Sequence, residues 1–137
     1  MSGQTTLRWI PGGNRFVSTD STGHSVVMST PKENSGMKPS ELILSALAGC
    51  ASVDVVDILA KKRTPLSHLE VQVTAEQDAD PPWTFRKIYI KFLVKGDGLT
   101  EKNVEQAIEL SEEKYCSVAA TLRGKAEIIT SFEILED

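Results

Sequence analysis

Hydrophobic residues change period several times along the chain, and each change marks an element. Leu7-Arg8-Trp9-Ile10 precedes the turn signal Pro11-Gly12-Gly13-Asn14, and Arg15-Phe16-Val17-Ser18-Thr19 follows it. That pattern predicts a hairpin. Residues 20–23 are a second turn, and residues 24–29, with Val26 and Met28, a third short strand. Residues 30–38 carry Pro, Asn, Gly and Ser and predict a loop, expected to be mobile.

Alternation then gives way to an apolar run: Leu42, Ile43, Leu44, Ala46, Leu47, Ala48, Cys50, Ala51 and Val53. It predicts a helix from Pro39, where proline suits the first helical position and Glu41 complements the positive dipole end. Pro65 cannot continue it, so it ends near Arg63, where Lys61-Lys62-Arg63 complements the negative end. A helix apolar nearly all round is enclosed on all sides. One sheet covers only one of its faces, so the rest is expected to pack against a second subunit. The uncharged stretch 42–53 is too short for a bilayer and reads as a buried helix.

Residues 69–75 alternate and predict a half-buried strand; Ile88, Ile90, Phe92 and Val94 carry another over residues 85–95, ended by Gly96-Asp97-Gly98. A second helix is expected from Thr100, a suitable N-cap, with Glu101 in its first turn. Val104, Ala107, Ile108 and Ser111 form its inner stripe, and Glu105, Glu109 and Glu112 its wet face. Residues 117–122 continue that helix or start a short new one, and residues 126–135 close as a strand. The expected class is α+β, one domain over residues 1–137, with an antiparallel sheet packed around the helices.

Charge and length narrow the function. A net charge of -4 argues against nucleic acid or an anionic membrane as a partner, since both favour a basic surface. Residues 1–6 are polar, without the basic and apolar regions of a signal peptide, so a cytosolic location is expected. In that compartment two cysteines are unsuited to a permanent structural disulfide.

Those cysteines are the candidate chemistry. Cys50 follows Gly49 inside the apolar helix, where glycine costs roughly 1 kcal/mol relative to alanine. Close approach of another backbone or of a substrate would offset that cost. Cys116 lies in Lys114-Tyr115-Cys116-Ser117-Val118, at the N-terminus of any helix starting near Ser117, where the dipole favours a thiolate. Taken singly, each is as readily inert core, because free cysteine is among the most buried residue types. As a pair they suit peroxide chemistry, in which one thiolate becomes a sulfenic acid and a second thiol condenses with it. Asp54, one turn from Cys50, disfavours a thiolate unless it points away or a cation neutralises it; Arg15, Arg86 and Lys114 are the candidates. No CxxC supports a dithiol motif or a zinc site, and no glycine-rich phosphate loop is present. His24 and His68 are isolated, which leaves a Cys-His hydrolase poorly supported. No metal or cofactor is expected.

Pro39-Ser40-Glu41-Leu42, Ala48-Gly49-Cys50 and Asp54-Val55-Val56-Asp57-Ile58-Leu59 resemble the central-helix motif of the OsmC/Ohr family. Glu113-Lys114-Tyr115-Cys116-Ser117-Val118 is similar to its second-cysteine motif, and the combination resembles the YhfA-like branch. The resemblance implies an OsmC-like fold and an intertwined homodimer with active sites at the subunit interface. It implies a thiol-dependent peroxidase of oxidative and osmotic stress defence, acting on organic hydroperoxides. In that scheme Cys50 attacks, Cys116 resolves, and a dithiol reductant of lipoyl type restores both. In the peroxidase branches a glutamate directly follows the helix-start proline. Here Ser40 stands there, and Glu41 comes one residue later, rotated by about 100°. Arg15 is the nearest match to the family's hairpin arginine, which holds peroxide and thiolate, and Glu41 the candidate to orient it. The rival expectation is a dimeric redox-sensing or small hydrophobic ligand-binding module with little turnover.

Overall fold

A computed structural model describes residues 3–136. Met1, Ser2 and Asp137 lie outside the described residues, and with them part of the polar N-terminal stretch. The chain divides into two compact units, one ending at Ile43 and the other beginning at Leu44.

The first unit holds β1 (Thr6–Ile10), β2 (Arg15–Thr19) and β3 (Ser25–Ser29), paired antiparallel in that order. Gly12, at φ +107°, supplies the left-handed conformation the first turn needs, and the Trp9 indole N–H donates to Gly13 O at 2.7 Å. In the second turn one oxygen of Asp20 accepts from the Thr22 and His24 amides, at 2.9 and 3.2 Å. The loop after β3 is tied down by hydrogen bonds. Ser29, 1% exposed, accepts at Oγ from the Ser35 and Gly36 amides, at 3.1 and 3.0 Å, and Met37 bridges to Met28.

The second unit contains most of α1 (Pro39–Lys61), then β4 (His68–Gln77), β5 (Phe85–Lys95), α2 (Glu101–Leu110), α3 (Ser117–Leu122) and β6 (Glu127–Ile134). A π-helical segment, Ser111–Tyr115, joins α2 to α3. α1 ends where its sequence says it should. Arg63 takes a left-handed φ of +63°, and the Arg63 and Thr64 amides return to the Ala60 and Leu59 carbonyls before Pro65.

The α+β class holds, but the antiparallel expectation holds only in part. β4 pairs antiparallel with β5, whereas β6 runs parallel to β5, making this sheet mixed. The reason is the route: the chain leaves β5 and returns through α2 and α3, the crossover a parallel pair requires. On β5 the residues Ile88, Ile90, Phe92 and Val94 all point into the core with Leu47, Val55, Leu59, Val104 and Ala107. Full burial of each of the larger of these stabilises by about 1.5–3 kcal/mol.

α1 buries one face, Leu44, Leu47, Ala51, Val55 and Leu59, spaced three and four residues apart. The opposite face is apolar and open, with Ala46, Gly49 and Val56 exposed and Val53 63% accessible. The expectation of a helix enclosed on all sides is therefore not met by this chain itself. The whole of α1 is also long and apolar enough, by length and composition, to cross a membrane, which the shorter stretch 42–53 did not suggest. Its packed face, and two carboxylates along its length, half-buried Asp54 and exposed Asp57, are marks of a core helix.

Candidate functional site

The site forms where the middle of α1 meets the break between α2 and α3. α2 starts at Thr100, whose hydroxyl accepts from the Asn103 amide at 3.1 Å. Its inner stripe of Val104, Ala107 and Ile108 runs on to Ser111, which is 1% exposed. There the helix widens, and the Cys116 amide donates to the Ser111 carbonyl five residues back, at 2.7 Å. In a regular α-helix five residues would carry a side chain about 140° beyond a full turn, away from the stripe. The wider turn returns Cys116 to the core, at 2% exposure.

Cys116 then caps α3. Its backbone is extended at φ -82° and ψ 103°, and its Sγ accepts from the Ala119 amide at 3.4 Å. A new helix at Ser117 is thus the correct one of the two readings, and the cap is the cysteine itself. Cys50, about three turns into α1, is half-buried and hydrogen-bonded to the Cys116 side chain. The structure brings the two thiols into contact.

Their surroundings push them in opposite directions. Burial raises the Cys50 thiol, but hydrogen bonds outweigh it. The Val118 amide, the Cys116 thiol, the Ser117 hydroxyl and the Ser117 amide hold it below the ordinary thiol value of 9.0. Cys116 is pushed up to about 11, by burial first and then by donating its proton to Cys50. The apparent values belong to the pair: the first proton leaves from Cys50, and Cys116 keeps the second.

Asp54 has a partner that sequence reasoning missed. The Ser111 hydroxyl donates to Asp54 Oδ2 at 2.8 Å, so a buried donor engages the carboxylate. Two of the three expected cations, Arg86 and Lys114, lie in the same unit as Asp54. Arg86 grips Asp78 through Nε and Nη2, at 3.0 and 2.8 Å. Lys114 is exposed. Arg15 belongs to the first unit, where Nε lies 3.3 Å from Glu33 Oε1, within ion-pair range but without hydrogen-bond alignment. Glu41, also in that unit, pairs with Lys38 at 3.0 Å on the surface.

Ser111 and Ser117 are the residues the sequence reading left unassigned. Ser111 was counted as one more member of the core stripe. Its signal was a hydroxyl on an otherwise apolar stripe, opposite a helix bearing Asp54. For Ser117 the signal was a hydroxyl in the first turn of the helix that Cys116 opens. Behind Cys116 lies a void of about 10 Å³ bordered by Leu47, Phe92, Ile108, Ser111 and Ile128, room for roughly one water molecule. Among the described residues no cluster of His, Cys, Asp or Glu is placed to hold a metal ion.

Fold and site define an α+β protein with a differentiated pair of thiols, one poised to ionise and one kept protonated. Residues 32–131 match the family model described as OsmC-like protein, and the chain belongs to that family. It is 35% identical over 132 residues to Protein YhfA of Escherichia coli K12, covering 96% of this chain and 98% of that one. A hypothetical protein from Aquifex aeolicus VF5 superposes with a TM-score of 0.88 at 30% identity, over 100% of this chain and 99% of that chain. The organic hydroperoxide resistance protein OhrB of Bacillus subtilis shares the fold, with a TM-score of 0.65 at 17% identity, over 97% and 98% of the two chains.

Proposed function

We propose that this chain is a two-cysteine peroxidase that reduces organic hydroperoxides, with Cys50 as nucleophile and Cys116 as resolving thiol. The observation that carries the reading is the Cys50 sulfur, which accepts from Cys116, Ser117 and Val118 and so favours its thiolate. The thiolate attacks the terminal peroxide oxygen and the O–O bond breaks. The alkoxide takes a proton and leaves as the alcohol, and Cys50 becomes a sulfenic acid. Cys116 sulfur then attacks Cys50 sulfur, the S–O bond breaks, and the thiol proton leaves with the hydroxyl as water. A dithiol reductant of lipoyl type reduces the disulfide and is itself oxidised to a disulfide.

Arg15 is assigned to holding the peroxide and thiolate, and Glu41 to orienting Arg15. The whole chain acts as one OsmC-like domain, in the cytosol and without a membrane partner, and its working form is a homodimer. The open apolar face of α1 supports the dimer, as does Gly49, where an added Cβ would meet nothing within 4 Å. The wider role is defence against oxidative and osmotic stress.

One observation favours a second reading, a redox sensor with little turnover: Arg15 is held by Glu33. Arg15→Ala separates the two, because it removes turnover from a peroxidase and leaves a sensor's single oxidation intact. The decisive experiment is intact mass and free-thiol count before and after stoichiometric cumene hydroperoxide, with hydrogen peroxide as comparison. Rapid loss of both thiols, faster with the organic peroxide and reversed by dihydrolipoamide, is the expected result. Two unchanged thiols would overturn both readings.

A further inference from the structure

Asp54 and Ser111 take no part in the chemistry set out above, yet each is tied to one arm of the thiol pair. Asp54 stands one turn beyond Cys50 on α1, four residues along the same side of the helix. Ser111 reaches it with its hydroxyl, at 2.8 Å; the second acceptor near that hydroxyl, the Ala51 carbonyl at 3.5 Å, is too distant to compete for the hydrogen. The Ser111 carbonyl meanwhile receives the Cys116 amide at 2.7 Å and so closes the widened turn that carries Cys116. A continuous path runs from the helix of Cys50, through the Asp54 carboxylate and the Ser111 hydroxyl and backbone, to the backbone of Cys116.

The geometry points to Asp54 and Ser111 as positioning residues, a strap that holds Cys116 in register with Cys50 so that a disulfide forms and re-forms at one fixed place. The inference rests on the reading of Cys50 and Cys116 as a redox pair, though not on peroxide being the oxidant. Three features mark the bond as a fastening rather than an accident of packing. Among the described residues of this unit, Ser111 is the single polar side chain in the set of largest fully buried ones, so its hydroxyl requires a partner. The partner is charged, which makes the bond one of the stronger kind. The bond also joins residues 57 positions apart at the one place where the helix departs from α geometry. Without it the widened turn would be tied to α1 only by apolar contact and by the hydrogen bonds of the Cys50 thiol itself, the group whose placement is at issue.

The test measures how effectively the two thiols find each other. In a glutathione redox buffer the protein dithiol and glutathione disulfide exchange to the protein disulfide and two glutathiones, and the equilibrium reports the effective concentration of one cysteine at the other. Ser111→Ala and Asp54→Ala are each expected to lower that concentration by about tenfold, the worth of one charge-assisted hydrogen bond. Because both remove the same strap, the double variant should fall no further than either single one. Ser111→Thr restores the hydroxyl, with the void beside Ser111 taking the added methyl, and should recover most of the loss.

A fall in thermal stability with unchanged effective concentration would overturn the inference, and so would single effects that multiply in the double variant. If Asp54→Ala, which strips the buried Ser111 hydroxyl of its acceptor, fails to fold, Ser111→Ala against the parent decides, since it leaves no buried donor behind. Failure of the peroxidase reading looks different. The parent would then show the expected effective concentration, and its loss in the variants, while cumene hydroperoxide left both thiols untouched.

Discussion

Cys50 and Cys116 carry the same thiol into two unlike regions. Around Cys50 the backbone is regular α-helix, the side chain is half-buried, and donors converge on the sulfur from the first turn of α3. Around Cys116 the backbone is irregular: a π-helical segment ends, an extended residue follows, and α3 begins, with the sulfur 2% exposed. The regular region thus presents the sulfur whose thiol is lowered, and the irregular one supplies the groups that lower it. The division has a physical reason. A helix interior has already spent its amides on its own carbonyls, whereas a helix start has free N–H groups to offer. Cys50 on α1 could not have found the Val118 and Ser117 amides on its own helix.

The largest test of that division is to remove each sulfur in turn. Cys50→Ser is expected to abolish peroxide consumption, by roughly three orders of magnitude or more, as loss of a nucleophile does. Cys116→Ser should also stop turnover, yet consume one equivalent of peroxide and leave a sulfenic acid on Cys50, visible as a mass gain of one oxygen. If the two variants behaved alike, the roles assigned to the two regions would be wrong.

Next in size is the support under Cys50. Leu47 is 1% exposed, one turn before it on the packed face of α1. Leu47→Ala should cost about 2–5 kcal/mol in denaturant unfolding. A cost below about 1 kcal/mol would mean that α1 is not held where the site needs it. The smallest effect concerns the open face. Gly49→Ala improves the helix by about 1 kcal/mol. If a second copy covers this face closely, the same change should weaken self-association by roughly tenfold, read by sedimentation across a dilution series. Higher stability with association unchanged would leave the open face of α1 without its proposed partner.

The two regions also differ in how far the sequence revealed them. Pro39 and Pro65 bracketed α1, alternation located β4 and β5, and Thr100 marked the start of α2, because each rests on a local rule. The cysteines were legible as candidate residues because no other thiol stands in the chain. The π-helical turn was not, since nothing in Ser111-Glu112-Glu113-Lys114-Tyr115 distinguishes it from one more turn of α-helix. The parallel placement of β6 was also hidden, because alternation fixes which face a residue takes and not the direction of its neighbour. Asp54 was flagged as a charge in need of an answer. Within its own unit the partner is Ser111, distant in sequence and a hydroxyl rather than a charge. Pairings set by tertiary contact leave no periodicity to read.

The most direct test of the differentiated pair is the pH dependence of alkylation by iodoacetamide, with the modified residue assigned by peptide mass. Cys50 should react first, with a midpoint below 9.0, and Cys116 should resist until about pH 11. The signs carry into stability. The depressed Cys50 group contributes stability above the ordinary thiol range, and that contribution is lost as pH falls through its own lower value. The raised Cys116 group contributes below 9.0, and its contribution is lost as pH rises towards about 11. Early, selective modification of Cys50 would establish the division of roles on which the proposed chemistry depends. Simultaneous modification of both thiols at 9.0, or of Cys116 first, would contradict it.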